Sequence, residues 1–255
     1  MKIAVILRQV PDVVEELVIA ESGRSLAEDE VTYITNEADE HALEQALILK
    51  ARHGAKVSVL SVGGDEARDA LATATAKGAE DAILVPMPFE NRGDNHHLAA
   101  LLTPEMKSAG YDLILTGLSA ADQRDAGLAG LLAARLFLPY VGGLICVTLD
   151  PSGSVATVRK EFPGGRLGVL EVALPAVLGI QSAEQPPRYV PVSKVSQAKK
   201  ALQPKVLSVP APSVAGLPIQ RLLKPEAAGK AEMVPGDVEQ IADWIVRLLR
   251  ERGIV

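Results

Sequence analysis

Short unbroken apolar runs alternate along this chain with longer segments in which apolar residues recur every three to four positions. The runs fall at 2–7, 56–62, 82–85 and 112–116 and are rich in Val, Ile and Leu. Such runs predict strands buried on both faces. Between the first two, apolar positions 42, 43, 46, 47 and 49 form a helical stripe. Asn36 or Asp39 opens that helix and Gly54 stops it. Asp65 and Gly78 bracket a second helix, and a third spans 94–108 and stops at Gly110. The first strand leaves through Arg8-Gln9-Val10-Pro11-Asp12. Residues 15–33 carry the turn signal Ser22-Gly23-Arg24 and predict a β-hairpin excursion. Strand and helix alternate with short connections, which predicts an α/β fold with a doubly wound, mostly parallel sheet.

The stretch 112–135 is the centre of this pattern. A strand at 112–116 passes through a small-residue polar loop, 117–124, into an apolar helix running from Asp125 to about 138. Strand, loop and helix N-terminus in that order bind phosphate in α/β sheets, because free N–H groups and the helix dipole point at the loop. Asp122, Gln123, Arg124, Asp125, Ala126 and Gly127 occupy the loop and helix start. Spacing leaves two readings open. Asp125 caps the helix by accepting backbone N–H bonds, or a phosphate sits there with Arg124 as charge partner.

Beyond Tyr140 the pattern changes. Runs at 144–149, 156–162 and 167–174 are separated by Pro151-Ser152-Gly153 and Pro163-Gly164-Gly165, which predicts hairpins. A further apolar run covers 175–180. The predicted α/β domain is therefore 1–182. Residues 183–235 hold about half of the chain's 17 prolines and predict an extended arm. Residues 236–255 predict a terminal amphipathic helix with Val238, Ile241, Trp244, Ile245, Leu248 and Leu249 on one side.

Composition narrows the function. Hydrophobic residues make up 48% but aromatic residues only 3%, so the core is Ala, Val, Leu and Ile. A net charge of −6 without a long basic run excludes nucleic acid as the main partner. The single cysteine, Cys146, permits no internal disulfide, and with the lack of a signal-like N-terminus points to the cytoplasm. The apolar stretch 127–149 is long enough for a membrane, but Pro139 and Gly142-Gly143 divide it into helix and strand. His96-His97, His41 and His53 have no metal-ligand spacing. Ser61-Val62-Gly63-Gly64-Asp65 lacks the last Ser of an ATP-pyrophosphatase loop, so an ATP-using enzyme is a remote reading. No side-chain set argues for catalysis, which favours a carrier or binding role.

Several pieces in shared order resemble the β subunit of electron transfer flavoproteins, including the nitrogen-fixation paralogues. Arg8-Gln9-Val10-Pro11-Asp12 resembles the family's KQVPD. Asn36-Glu37-Ala38-Asp39 with Ala42-Leu43-Glu44 resembles NPxDxxALE. Val59-Leu60-Ser61-Val62-Gly63 resembles VLSMG, and the piece from Lys77 to Leu84 resembles MGADxAIL. Leu115-Thr116-Gly117 leading to Asp122 is similar to LxGxQAxDGDTxQxG, with Asp122-Gln123-Arg124-Asp125 in place of DGDT. Leu174-Pro175-Ala176, Pro187-Arg188-Tyr189 and Gln197-Ala198-Lys199-Lys200 match the family's LPA, EPRY and KAKK pieces.

The resemblance implies an adenine-nucleotide α-hydrolase-like fold and a heterodimer with a larger α subunit, which holds most of a redox FAD. It implies AMP in the β subunit, or a second FAD in electron-bifurcating members. By matching position, the nucleotide contacts are Ile6, Asn36, Val62, Gly63, Asp122 and the loop through Gly127. The arm would embrace the α subunit. Its Tyr189, Val192, Lys199 and Lys200 would dock a dehydrogenase or quinone oxidoreductase. The other reading is a non-redox adenine-nucleotide-binding module.

Overall fold

The computed structural model describes residues 1–87, 93–123, 125–209, 218–225, 229, 231 and 233–255. The elements run β1 (Lys2–Leu7), β2 (Gln9–Pro11), β3 (Tyr33–Thr35), α1 (Glu37–His53), β4 (Lys56–Gly63), α2 (Asp65–Lys77) and β5 (Asp81–Pro86). They continue with α3 (Asn95–Ala109), β6 (Leu113–Gly117), α4 (Leu128–Leu136), β7 (Tyr140–Leu149), β8 (Val155–Phe162), β9 (Arg166–Ala173) and β10 (Ala176–Ile180). Last come α5 (Val192–Ala201), β11 (Lys205–Val206) and α6 (Val238–Glu251).

One nine-stranded sheet has the order β11-β5-β4-β1-β6-β10-β7-β8-β9. It is parallel from β11 to β7, and antiparallel where β7, β8 and β9 form the expected hairpins. The fold is the doubly wound α/β architecture that the run pattern predicts. Strand residues alternate between two cores. Ile3, Val5 and Leu7 pack with Leu43 and Leu47 of α1 and Leu71 of α2. Ala4 and Ile6 pack with Leu101 and Leu102 of α3 and Leu132 of α4. Both faces are covered, so the strands carry no polar alternation. Each fully buried Ile or Leu contributes about 1.5–3 kcal/mol.

Helix α1 shows how local signals set the ends. Asp39 and Glu40 stand in its first turn and Lys50 and Arg52 in its last, each complementing the dipole. Gly54 then adopts φ 65 and donates its N–H to Lys50 O. The 15–33 excursion is tied by a single antiparallel bridge, Ile19 to Leu26, and returns as β3 against β2.

Two features differ from expectation. Helix α4 begins at Leu128 rather than Asp125, because Ala126 turns through φ 52 before the helix can start. Residues 183–209, expected as arm, fold back onto the α/β body. Arg188 Nη2 meets Glu44 Oε1 of α1 at 2.7 Å, and Arg52 Nη2 meets Glu184 Oε2 at 2.9 Å. Lys199 Nζ of α5 meets Asp69 Oδ2 of α2 at 2.6 Å, and β11 pairs with β5. Ion pairs, the β11 pairing and Leu202, Leu207 and Val209 packed against the cores hold this segment, but α5 itself buries none of its residues, so no hydrophobic period announces it.

Met1–Leu222 forms one compact unit and Leu223–Val255 another. Within the second, α6 opens with a capping box between Asp237 and Gln240. No helix among the described residues is long and apolar enough to cross a membrane.

Candidate functional site

From β1 the chain winds outward through β4 and β5, then crosses to β6 on the other side of β1. The switch point therefore lies between the carboxyl ends of β1 and β6. Ligands of doubly wound sheets bind there, because the loops diverge and leave a crevice.

A buried ion pair stands at that point. Arg8 follows β1, and Asp39 is the third residue of α1. Asp39 Oδ2 accepts from the Arg8 backbone N–H and from Nε, both at 2.9 Å. Its Oδ1 accepts from Arg8 Nη2 at 2.8 Å and from the Gly117 N–H at 2.7 Å. Arg8 Nη2 also donates to Gly117 O at 3.0 Å. Asp39 is fully buried and Arg8 is 8% exposed. Burial disfavours the Arg8 charge, but Asp39 more than offsets it, with Asp122 and Asp125 adding to the field, so the guanidinium is held above its ordinary pKa. Position 117 must be glycine. A Cβ there would lie 2.5 Å from the Ala38 carbonyl carbon and 2.5 Å from Asp39 Oδ1.

The predicted contacts gather around this pair. Ile6 lies near the end of β1, buried beneath α3 and α4. Val62 and Gly63 close the neighbouring strand β4, with Gly63 at φ 151. Asn36 precedes α1. Its N–H donates to Arg8 O at 2.9 Å and its Nδ2 to Ser119 O at 2.9 Å, tying the helix start to the 118–127 loop.

The loop rests on the start of α3. Asn95 Nδ2 donates to Asp125 Oδ1 at 2.5 Å, the Gly127 N–H donates to the same oxygen at 3.0 Å, and Gln123 Nε2 donates to Gly93 O at 3.1 Å. Asp125 thus accepts a backbone N–H, as the capping reading expects, but from the residue before α4. Gly127 is the N-cap of α4 and, among the described residues, supplies no side-chain acceptor to the helix's first N–H groups. Asp122 is exposed, and Arg124 lies outside the described residues.

Tyr189, Val192, Lys199 and Lys200 lie apart from this crevice. Tyr189 is 82% and Val192 77% exposed. Val192 is the first residue of helix α5 rather than part of a loop. Lys199 is engaged with Asp69, while Lys200 faces solvent.

Reading the sequence does not single out Arg8, Asp39 and Gly117 as one constellation. The available signal is a charged residue directly after an apolar strand, with a carboxylate in the first turn of the next helix. The arrangement provides one buried cation, one uncapped helix start and a glycine-lined strand end, which suits a ligand with phosphate and sugar oxygens.

A family model described as "Electron transfer flavoprotein domain" matches residues 24–214. The electron transfer flavoprotein subunit beta of Methylophilus methylotrophus is 30% identical over 98% of both chains. That of Clostridium acetobutylicum is 30% identical over the whole of both. The caffeyl-CoA reductase-Etf complex subunit CarD of Acetobacterium woodii is also 30% identical over the whole of both.

Proposed function

Because this chain belongs to the electron transfer flavoprotein family, as a β-subunit member, we propose that its crevice holds an adenine nucleotide while a partner α subunit holds most of a redox FAD. The observation that carries the reading is the switch-point constellation: Arg8, Asp39 and Gly117 beside the uncapped start of α4. Ile6 and Val62, both buried, underlie the strand ends on which a base or sugar would rest. Asn36 holds the loop against α1, and residues 122–127 approach phosphate through backbone N–H groups. Flavin supplies the electron chemistry when bound. The chain's own residues bind, orient and exclude water, and none acts as a general acid or base. AMP is the simplest occupant, and a second FAD would make the heterodimer an electron-bifurcating one.

The partner side of the proposal uses residues beyond 182. The ion pairs at Arg188 and Glu184 fix where this segment leaves α1, and Tyr189 and Val192 stand exposed just beyond. That exposure supports docking of a dehydrogenase or quinone oxidoreductase, with the outer part of 183–235 on the α subunit. A cytoplasmic heterodimer is the setting proposed.

The test is coexpression with an electron transfer flavoprotein α subunit, followed by chromatography of released nucleotides. One FAD plus one AMP per heterodimer is expected of a simple carrier. Two FAD identify the bifurcating type. An adenine nucleotide without flavin or partner favours a non-redox binding module, and no nucleotide at all sinks the reading.

A further inference from the structure

Arg8 engages Asp39 through Nε and Nη2 side by side. A guanidinium is planar and trigonal, so this pairing aims the remaining nitrogen, Nη1, directly away from the carboxylate. Nη1 is closed off from solvent and has no acceptor among the described residues. A buried charged donor in that state costs free energy that an arriving acceptor would recover. The position matters as much as the vacancy. Arg8 lies at the switch point, bonded to the last residue of β6, from which the 118–127 loop departs. The next carboxylates in its field, after Asp39, are Asp122 and Asp125 of that loop. The loop leads into α4, nine residues long and without a side-chain cap. A helix start without a side-chain cap and the one nitrogen of Arg8 that lacks an acceptor thus flank the same loop.

We infer that Arg8 is itself a contact of the bound nucleotide, its Nη1 donating to an oxygen of the ribose–phosphate portion. The inference rests on the adenine-nucleotide reading of the crevice. It assigns Arg8 two tasks through separate nitrogens: Nε and Nη2 lock the end of β6 to α1, and Nη1 reads the ligand. Lysine, with a single nitrogen, can keep the charge opposite Asp39 but cannot do both.

The experiment is calorimetric titration of the full-length, nucleotide-free chain with AMP, FAD and adenosine, in wild type and Arg8→Lys. The expected result is affinity roughly 10- to 100-fold weaker in the variant, the size of one charge-assisted hydrogen bond. A loss confined to AMP and FAD assigns the acceptor to phosphate, and an equal loss with adenosine assigns it to ribose. Wild type that binds none of the three overturns the crevice reading itself. Wild type that binds, with Arg8→Lys binding equally well, overturns the role of Arg8 alone. A loosened fold in the variant could mimic the loss, so wild type is also followed by ¹⁵N NMR of the Arg8 guanidinium. Its Nη signals shift and their rotation slows when AMP is added. Signals that stay unmoved while AMP binds refute the contact.

Discussion

Gly117→Ala is the substitution that most directly probes how the crevice is held open. The added Cβ would sit 2.5 Å from the Ala38 carbonyl carbon, 2.5 Å from Asp39 Oδ1 and 2.6 Å from the Asp39 nitrogen. Two of these are backbone atoms of α1, so no flexible side chain can swing aside. Reaching ordinary contact requires β6 and α1 to separate by about 1 Å, an overpacking strain of about 1–3 kcal/mol. That separation also stretches the Gly117 N–H to Asp39 bond and the Arg8 to Gly117 O bond, now 2.7 and 3.0 Å. Both involve a charged group, so their weakening adds about 1–3 kcal/mol. The sum is about 2–6 kcal/mol, or a fall in Tm of roughly 4–24 °C for a unit of this size. Gly110→Ala is the control. Gly110 has φ 62 but open space around its Cβ, so it meets only the left-handed penalty of about 1–2 kcal/mol. Urea unfolding of both variants decides the matter. If Gly117→Ala is no more destabilising than Gly110→Ala, the packing of β6 on α1 is not the constraint described here.

Other consequences follow from the ion pairs and the loop. Glu44, only 4% exposed, is held below its ordinary pKa; burial opposes this, but the hydrogen bonds and charge of Arg188 outweigh it. The stability it contributes is therefore present above its unfolded pKa of about 4.3 and lost as pH falls through the lower folded value. Glu44→Gln should cost about 1–2 kcal/mol at pH 7, discounted for the partly exposed arginine, and flatten the urea midpoint against pH below that range; an unchanged slope would contradict the assignment. Asp125→Ala leaves the buried amide of Asn95 without its acceptor and should cost about 1–3 kcal/mol in denaturant unfolding, against no change if the loop contributes nothing. Burial, then Glu184, pushes the Cys146 thiol up, so a disulfide reagent at pH 7 should label native protein far more slowly than urea-unfolded protein. Ending the chain at Leu222 should leave nucleotide affinity intact while weakening capture of the α subunit, and equal capture would remove the outer arm from the proposed interface.

The architecture was legible where burial is two-sided. The runs at 2–7, 56–62 and 112–116 are short, rich in Val, Ile and Leu and flanked by turn residues, which reads as covered strands, and Gly54, Gly78 and Gly110 mark helix ends by conformations other residues avoid. Residues 175–180 read only as a further apolar run, and nothing local says that it forms a strand between β6 and β7; that pairing is a long-range choice. The start of α4 was misplaced because a left-handed alanine carries no signature. Helix α5 stayed hidden because it buries none of its residues and so carries no apolar period. At the crevice, the loop residues were legible as a strand–loop–helix pattern. The Arg8–Asp39–Gly117 set was not, since its members are far apart in sequence and meet only after three elements have packed.

The placement of β10 bears on how the protein is made. Strand β6 finishes at Gly117, but its outer neighbour, β10, ends only at Ile180. A ribosome adding about 5–20 residues per second needs roughly 3–13 s to cover that interval. Throughout it, this edge of β6 has no strand to pair with, and the β7–β8–β9 hairpins, once made, have nothing to join until β10 follows. Unpaired apolar edges of this kind recruit other chains. The vulnerable period in the synthesis of this protein is therefore the interval between residues 117 and 180, and it closes when the five-residue β10 slides into the sheet's interior.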